Sequence, residues 1–148
     1  MTLLIRPAHT DDCPALAEID RAGNPSPWSA EQFAATLAEP YSYIQVAEQN
    51  GQVAAFIVWQ TVFEDSELHL IATAPAARRQ GLAAALMGTW LAAGSQNQVE
   101  RYFLEVRASN TPAQQLYRQY GFQETARRRD YYPLPSGRED AVIMEKSC

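Results

Sequence analysis

Three groups of residues carry chemistry that the rest of the chain must position: the turn Arg78-Arg79-Gln80-Gly81-Leu82-Ala83, the carboxylate Glu105 in an otherwise apolar run, and the phenol Tyr117. The turn opens a segment of helical apolar spacing. The first N–H groups of a helix lack partners, and its dipole favours an anion there. Gly81 lets a ligand approach the backbone, Arg78 and Arg79 bring charge, and Ala83 keeps the first turn small enough for a pyrophosphate. The plain alternative is a strand-to-helix connection with solvated arginines. The chain has neither the Gly-x-x-x-x-Gly-Lys pattern of a P-loop nor the Gly-x-Gly-x-x-Gly of a dinucleotide site.

In Tyr102-Phe103-Leu104-Glu105-Val106, strand alternation puts Tyr102, Leu104 and Val106 on one face and Phe103 with Glu105 on the other. A carboxylate buried there needs a partner or a raised pKa, and a raised pKa is how a carboxylate becomes a base near neutral pH. Pairing with Arg107 or another arginine at the open end of the strand is the competing reading. Tyr117 shares the apolar face of a short helix with Ala113, Leu116 and Tyr120, where an aromatic ordinarily belongs to the core.

The elements that position these groups follow from periodicity and punctuation. Leu3 to Arg6 reads as a strand ended by Pro7, then a helix capped at Thr10 or Asp11, carrying Leu16 and Ile19 and ended by Gly23. After the turn Asn24-Pro25-Ser26-Pro27, with Trp28 at the bend, Ser29 caps a second helix bearing Phe33 and Leu37 and followed by Pro40. Three strands come next, Tyr43 to Glu48, Val53 to Thr61 and Glu67 to Thr73, the first two joined by the hairpin signal Asn50-Gly51. The middle one is apolar on both faces, as a covered central strand would be. Leu82, Leu86 and Trp90 recur at helical spacing up to Gly94, which reads as the stop. Arg101 to Val106 is a strand, and Thr111 with Pro112 starts a short helix stopped by Gly121. Phe122 to Arg129 and Asp140 to Glu145 are the last strands, joined by the loop Pro133-Leu134-Pro135-Ser136-Gly137. This order predicts an α/β fold of α+β type, a mixed and mostly antiparallel sheet with helices on both faces, in a single domain over 1–148.

Composition narrows the function classes. At 148 residues the chain suits one domain with a real core, and its longest apolar run, Val53 to Trp59, is far short of the ~20 residues of a membrane span. The apolar patch at Leu3 to Ile5 is cut off by Arg6, Pro7, Asp11 and Asp12 before a secretory segment can form, so a cytoplasmic protein is expected. A net charge of −5 argues against a nucleic-acid surface and suits a basic protein or peptide partner. Cys13 and Cys148 make neither a disulfide nor a zinc spacing, and with His9 and His69 as the only histidines no metal site is expected.

Arg78-Arg79-Gln80-Gly81-Leu82-Ala83 resembles the pyrophosphate signature Gln/Arg-x-x-Gly-x-Gly/Ala of the GNAT acetyltransferase superfamily, whose element order is also similar. Within it, further segments resemble the RimI-type enzymes that acetylate the N-terminal alanine of the eighteenth small-subunit ribosomal protein. They are Pro27-Trp28-Ser29, Leu104-Glu105-Val106-Arg107-Ala108-Ser109-Asn110, Tyr117 with Tyr120-Gly121-Phe122, and Arg128-Arg129-Asp130-Tyr131-Tyr132-Pro133 with Gly137-Arg138-Glu139-Asp140-Ala141. The resemblance implies acetyl-CoA as cosubstrate, held by Ile71, Ala72 and Thr73, by Arg79, Gln80, Gly81, Leu82, Ala83 and Ala84, and by Asn110. It implies Glu105 as base and Tyr117 as proton donor to the CoA thiolate, with Tyr120 as the neighbouring decoy. Ala83 stands where many relatives have glycine, which leaves its amide available.

A phenol of pKa ~10 can protonate a thiolate, and an α-ammonium of pKa ~8 gives up its proton more easily than a lysine at ~10.4. Trp28, Tyr131, Tyr132 and Glu139 are candidates for the acceptor groove, the aromatics for shape and the carboxylate for a cationic peptide; packing or an exposed loop is the alternative for each. Two other functions fit the same cofactor half: a lysine or small-amine acetyltransferase, and a non-enzymatic acyl-CoA sensor.

Overall fold

The computed structural model describes residues 2–147. Its centre is one seven-stranded sheet in the order β1-β2-β3-β4-β5-β7-β6, every neighbouring pair antiparallel except β4 with β5. The strands are β1 (Leu3–Pro7), β2 (Ser42–Gln49), β3 (Gln52–Val62), β4 (Asp65–Thr73), β5 (Arg101–Arg107), β6 (Gln123–Leu134) and β7 (Gly137–Ser147). The helices are α1 (Cys13–Gly23), α2 (Ala30–Leu37), α3 (Leu82–Gln96) and α4 (Thr111–Gln119). The mixed, mostly antiparallel α/β sheet matches the expected class. No described helix is long and apolar enough to cross a membrane.

Local chemistry accounts for most boundaries. Asn50 and Gly51 take φ of 54° and 82°, the left-handed pair that a two-residue hairpin needs between β2 and β3. Ser29 Oγ accepts the Gln32 N–H at 3.1 Å while Gln32 Oε1 accepts the Ser29 N–H at 2.8 Å, a reciprocal cap on α2. Asp12 links Arg6 to the start of α1, accepting two guanidinium bonds at 2.9 and 3.1 Å and the His9 N–H at 2.7 Å.

Two cores lie on opposite faces of the sheet. Phe56 and Val58 of β3 face α1 and α2, packing with Leu16, Ile19 and Phe33. Ala55, Ile57 and Trp59 face α3 and α4, packing with Leu86, Trp90, Leu104 and Tyr117. Burial on both faces is what the unbroken apolar run of β3 requires. One polar pair is absorbed in the second core: Trp90 Nε1 donates to Ser66 Oγ at 2.8 Å.

Three local expectations are corrected. Gly94 does not stop α3, which runs on to Gln96; a Cβ at Gly94 would stand 2.5 Å from Tyr102 Cε1, so glycine is there for a strand side chain pressed on the helix. The cap of α4 is Asn110, whose Oδ1 accepts the Ala113 N–H at 3.3 Å, rather than Thr111. Tyr131 to Leu134 belong to β6, not to a loop; β6 is an edge strand, where Pro133 removes no ladder bond the sheet depends on.

Candidate active site

The site begins where two strands part. β4 and β5 are paired only from Asp65↔Arg101 to Leu68↔Leu104, although β4 continues to Thr73 and β5 to Arg107. The cause is a bulge: Val58 of β3 faces Leu70 while Trp59 faces Leu68, leaving His69 as an extra residue that bends β4 away. Beyond it, Ile71, Ala72 and Thr73 keep their β3 partners but have none on the β5 side. Backbone polar groups left unpaired inside a sheet are an edge on which a ligand can add its own hydrogen bonds. Ile71 packs toward α3 and Ala72 toward α1 and α2, so the gap opens through the sheet.

The turn 78–83 stands beside that gap. Arg79 and Gly81 both have positive φ, 67° and 78°, which curls the backbone into a concave run of amides before α3. The first helical bond runs from Ala85 N–H to Gly81 O at 3.0 Å, so Leu82, Ala83 and Ala84 have no carbonyl one turn earlier to receive their N–H groups. A Cβ at Gly81 would meet nothing within 4 Å, so its glycine serves the backbone angle and whatever lies above it. Leu82 turns its side chain into the core and offers only its amide. Gln80 Oε1 accepts from Gln49 Nε2 at 2.7 Å, tying the turn to β2. The two arginines divide: Arg78 lies across the end of α1, its Nη2 3.2 Å from where a Cβ on Gly23 would be, whereas Arg79 is exposed without an ion-pair partner among the described residues. This donor set, three free amides, a free guanidinium and an open strand edge, fits a pyrophosphate followed by an amide-bearing arm.

Glu105 and Tyr117 flank the gap from opposite faces. Alternation is as expected: Tyr102, Leu104 and Val106 are buried, and Phe103 and Glu105 are half-buried on the α1/α2 side. Glu105 pairs with Arg128 of β6, Oε1 to Nε at 3.3 Å, and not with Arg107. Tyr117, only 5 % exposed, approaches from the α3/α4 side; burial, then the nearby Tyr132, push its phenol well above the ordinary tyrosine range. Its hydroxyl makes no hydrogen bond to a described residue. Tyr120 differs on that point, since its hydroxyl donates to Ala84 O at 2.7 Å. Of two phenols one turn apart, one is committed to holding α3 and the other is free.

The acceptor candidates divide as well. Tyr132 and Tyr131 are packed edge to face with centroids 5.1 Å apart, Arg107 lying over the first ring at 4.2 Å and Arg128 over the second at 5.1 Å. Burial, and next the Glu105 carboxylate, push the Tyr132 phenol up. Glu139 is already engaged: it accepts from Ser109 Oγ at 2.9 Å and lies 3.8 Å from Arg107 Nη1, so it is not a free anion awaiting a cationic peptide. Trp28 packs on Phe33 at 5.3 Å in the cluster that includes Ala72. Asn110 spends its Oδ1 on the α4 cap.

Two residues of this region escaped the sequence reading. Asp20 is 2 % exposed and accepts the Trp28 N–H at 2.9 Å and the Asn24 amide at 3.2 Å, so it fixes the α1–α2 bend; burial pushes its carboxyl up, against those bonds. Its place four residues after Leu16, on the buried side of α1, was the available signal. The sequence offers Arg107 only as a partner for Glu105, yet it stacks on Tyr132 with Nη1 buried and without a hydrogen bond. Among the described residues no group of three His, Cys, Asp or Glu side chains could hold a metal; Cys13 is buried and free, and Cys148 lies outside the described residues.

Comparison with known proteins identifies the family. Residues 13–122 match the acetyltransferase (GNAT) family. The chain is 42% identical over 135 residues to the Escherichia coli ribosomal protein bS18-alanine N-acetyltransferase, covering 91% of this chain and 90% of that one. It is 36% identical to its namesake from Haemophilus influenzae over 90% of both. A crystal structure of the Escherichia coli ribosomal-protein-alanine N-acetyltransferase superposes with a TM-score of 0.92 at 38% identity, covering 99% of this chain and 94% of that one. These relatives are enzymes, which removes the sensor alternative. The chain belongs to the GNAT acetyltransferase family and, within it, resembles the RimI-type ribosomal-protein-alanine N-acetyltransferases along nearly its whole length.

Proposed function

We propose that this protein, working as one domain in the cytoplasm, transfers an acetyl group from acetyl-CoA to the N-terminal α-amine of a protein, the alanine of ribosomal protein bS18 being the favoured acceptor. The observation that carries the reading is the gap between β4 and β5, with a carboxylate on one face, an unbonded phenol on the other and free amides at its rim. The acceptor rests on the 42% identity to an enzyme of that specificity.

Acetyl-CoA supplies the thioester: its acetyl carbon bonds to the amine nitrogen as the carbon–sulfur bond breaks. Leu82, Ala83 and Ala84 amides with Arg79 would hold its pyrophosphate, and the free edge at Ile71, Ala72 and Thr73 would align the arm with the gap. Glu105 takes the proton the amine must lose, and Arg128, 3.3 Å away, holds the carboxylate in place. Tyr117 gives its proton to the departing sulfur; burial keeps the phenol protonated until a thiolate forms next to it. Trp28, held by Asp20, and Tyr131 and Tyr132, held by Arg128 and Arg107, would frame the acceptor from two sides.

Mass spectrometry of purified protein with acetyl-CoA and an alanine-started ribosomal peptide tests the reading, with free polyamines and an internal-lysine peptide alongside. Acetylation confined to the α-amine, and a fall of ~10²–10⁴-fold in Glu105→Gln, are expected. Modification of the lysine peptide or the polyamine instead would sink it.

A further inference from the structure

The bulge that parts β4 from β5 also decides which side chain stands across from Glu105. The last pair before the gap is Leu68↔Leu104, both of whose side chains lie in the α3/α4 core. Partners in a parallel pair share a face, and successive residues alternate between faces. The next residues along the two strands, His69 and Glu105, therefore turn to the α1/α2 side, as Glu67 and Phe103 do one step before Leu68 and Leu104. The contact of His69 Nε2 with Glu67 Oε1 at 3.3 Å agrees with that placing. His69 and Glu105 thus stand on opposite banks of the gap at its closed end. Paired strands are about 4.8 Å apart, and from here these two diverge, which leaves room for a small polar group between the banks.

The bond to Glu67 also settles which ring nitrogen is available. A carboxylate only accepts hydrogen bonds, so Nε2 carries the proton of the neutral ring and Nδ1 keeps its lone pair. Nδ1 makes no hydrogen bond to a described residue, and the side chain is 29 % exposed, so water reaches it. The charged groups around it on this face are Glu67 on its own strand, Glu105 on β5 and, joined to Glu105, Arg128 of β6. The β3 residues that flank the bulge, Val58 and Trp59, are apolar. Of the groups that α1 buries, Cys13 is a thiol that burial keeps uncharged, and Asp20 is spent on Trp28 and Asn24. Arg128 covers Glu105 from the β6 side, so an ammonium reaches Glu105 from the β4 side, where His69 is.

Acetyl transfer moves more protons than Glu105 and Tyr117 can hold between them. An α-ammonium sheds one proton to become the attacking amine and a second as the amide forms, while the departing sulfur takes one back. One proton per turnover must leave for water. On the reading that the acceptor is a protein N-terminus, we propose that His69 is a second proton acceptor of the site: Nδ1 takes the first proton from the bound α-ammonium and passes it to solvent at the exposed side of β4. The nitrogen lone pair so freed attacks the thioester carbon. The carbon–nitrogen bond forms and the carbon–sulfur bond breaks, Glu105 takes the second proton, Tyr117 protonates the sulfur, and the proton on Glu105 then restores the Tyr117 phenol through the gap. Glu67 is a positioning residue, holding the imidazole in the tautomer that presents Nδ1. The ammonium lies between the two banks, and the chain behind it runs out between Trp28, clustered with Ala72 of β4, and Tyr131 and Tyr132 on the β6 side.

The test is kcat for an alanine-started peptide, at saturating peptide and acetyl-CoA, measured from pH 6 to pH 9.5 in wild type, His69→Gln and Glu105→Gln. His69→Gln keeps the residue count of the bulge and a side-chain donor for Glu67, and thermal melts check that it folds; His69→Asn serves as a second variant. An α-ammonium of pKa ~8 is only about one-tenth free amine at pH 7, so without its acceptor the site must wait for amine that is already free. His69→Gln should therefore be about ten-fold slower than wild type at pH 7, with the deficit growing toward pH 6 and closing by pH ~9. Glu105→Gln should stay slow at every pH, because its proton leaves during the attack itself. Equal rates in wild type and both His69 variants at pH 7 would overturn the proposal and leave the acetyl transfer standing. A deficit of the same size at pH 7 and pH 9 would overturn it as well, since a change of shape alone does not follow the protonation of the acceptor. Absence of turnover by wild type is the separate failure of the N-terminal reading, and the role of His69 falls with it.

Discussion

Tyr117→Phe and Tyr120→Phe each remove one oxygen from the same helix, and the structure predicts opposite consequences. The Tyr120 hydroxyl donates to Ala84 O at 2.7 Å, tying α4 to the first turn of α3. Losing it should cost about 0.5–1.5 kcal/mol of stability and, in a chain of this size, lower Tm by roughly 2–6 °C. The Tyr117 hydroxyl gives up no hydrogen bond to a described residue, and its ring keeps its place against Phe122, 6.3 Å between centroids. Tyr117→Phe should therefore stay within about 0.5 kcal/mol of wild type in stability. Its kcat should fall ~10²–10⁴-fold, about 2.7–5.5 kcal/mol on the barrier, because the thiolate leaves without an acid. Acetyl-CoA affinity should hold, since the amides that bind it are untouched. Because burial raises the Tyr117 phenol, it stays protonated through the usual assay range, and the wild-type rate should show no alkaline loss from this group below pH ~9. Thermal melts with single-turnover acetyl transfer decide the matter. If Tyr120→Phe loses more kcat than Tyr117→Phe, or if Tyr117→Phe keeps kcat within three-fold, the assignment of the acid is wrong.

Four further substitutions probe the frame. Gly81→Ala and Gly51→Ala meet the same backbone penalty of about 1–2 kcal/mol at φ of 78° and 82° with open space around either Cβ, but only the first should raise the Kd for acetyl-CoA by calorimetry, about ten-fold or more. Gly94→Ala gains about 1 kcal/mol of helix propensity yet drives Tyr102 off Leu91 O and Trp90, so urea unfolding should show a net loss of about 1–3 kcal/mol. Arg6 holds the Asp12 carboxyl below its ordinary value, so its contribution is present above the unfolded pKa and is lost as pH falls through the folded one. Asp12→Asn should accordingly cost about 1–2 kcal/mol at pH 7, with the gap to wild type closing below pH ~4; a gap that persists in acid would contradict the assignment.

What could be read in the sequence was local. Asn50-Gly51, the reciprocal Ser29 and Gln32 cap, and the alternation around Glu105 each depend on residues within one or two turns, and each is present. What could not be read depends on a partner strand or helix. Gly94 looks like a helix stop until Tyr102, which reaches it from β5, is in place. The extra residue at His69 exists only relative to the register of β3, so the split between β4 and β5 has no signature of its own. Asp20 resembles an ordinary surface carboxylate until the chain folds back and brings the Trp28 N–H to it. Pro133 reads as the start of a loop just after Tyr131 and Tyr132, and only an edge position reconciles that proline with a strand.

The split also explains why Glu105 can be both in a strand and in a site. α1 and α2 pack on β2, β3 and β4, while on that same face Phe103, Glu105 and Ile143 of β5 and β7 are left half-buried. Had β4 remained paired with β5, the face beside Glu105 would be a continuous ladder with no passage to Tyr117 on the other side. One residue too many at His69 bends β4, and the bend turns an interior sheet position into an opening where groups from both faces can act on one molecule. Deleting His69 should therefore restore pairing of Ile71 to Thr73 with β5 and abolish acetyl transfer while the chain still folds. Amide exchange would register the closure as new protection along 105–107.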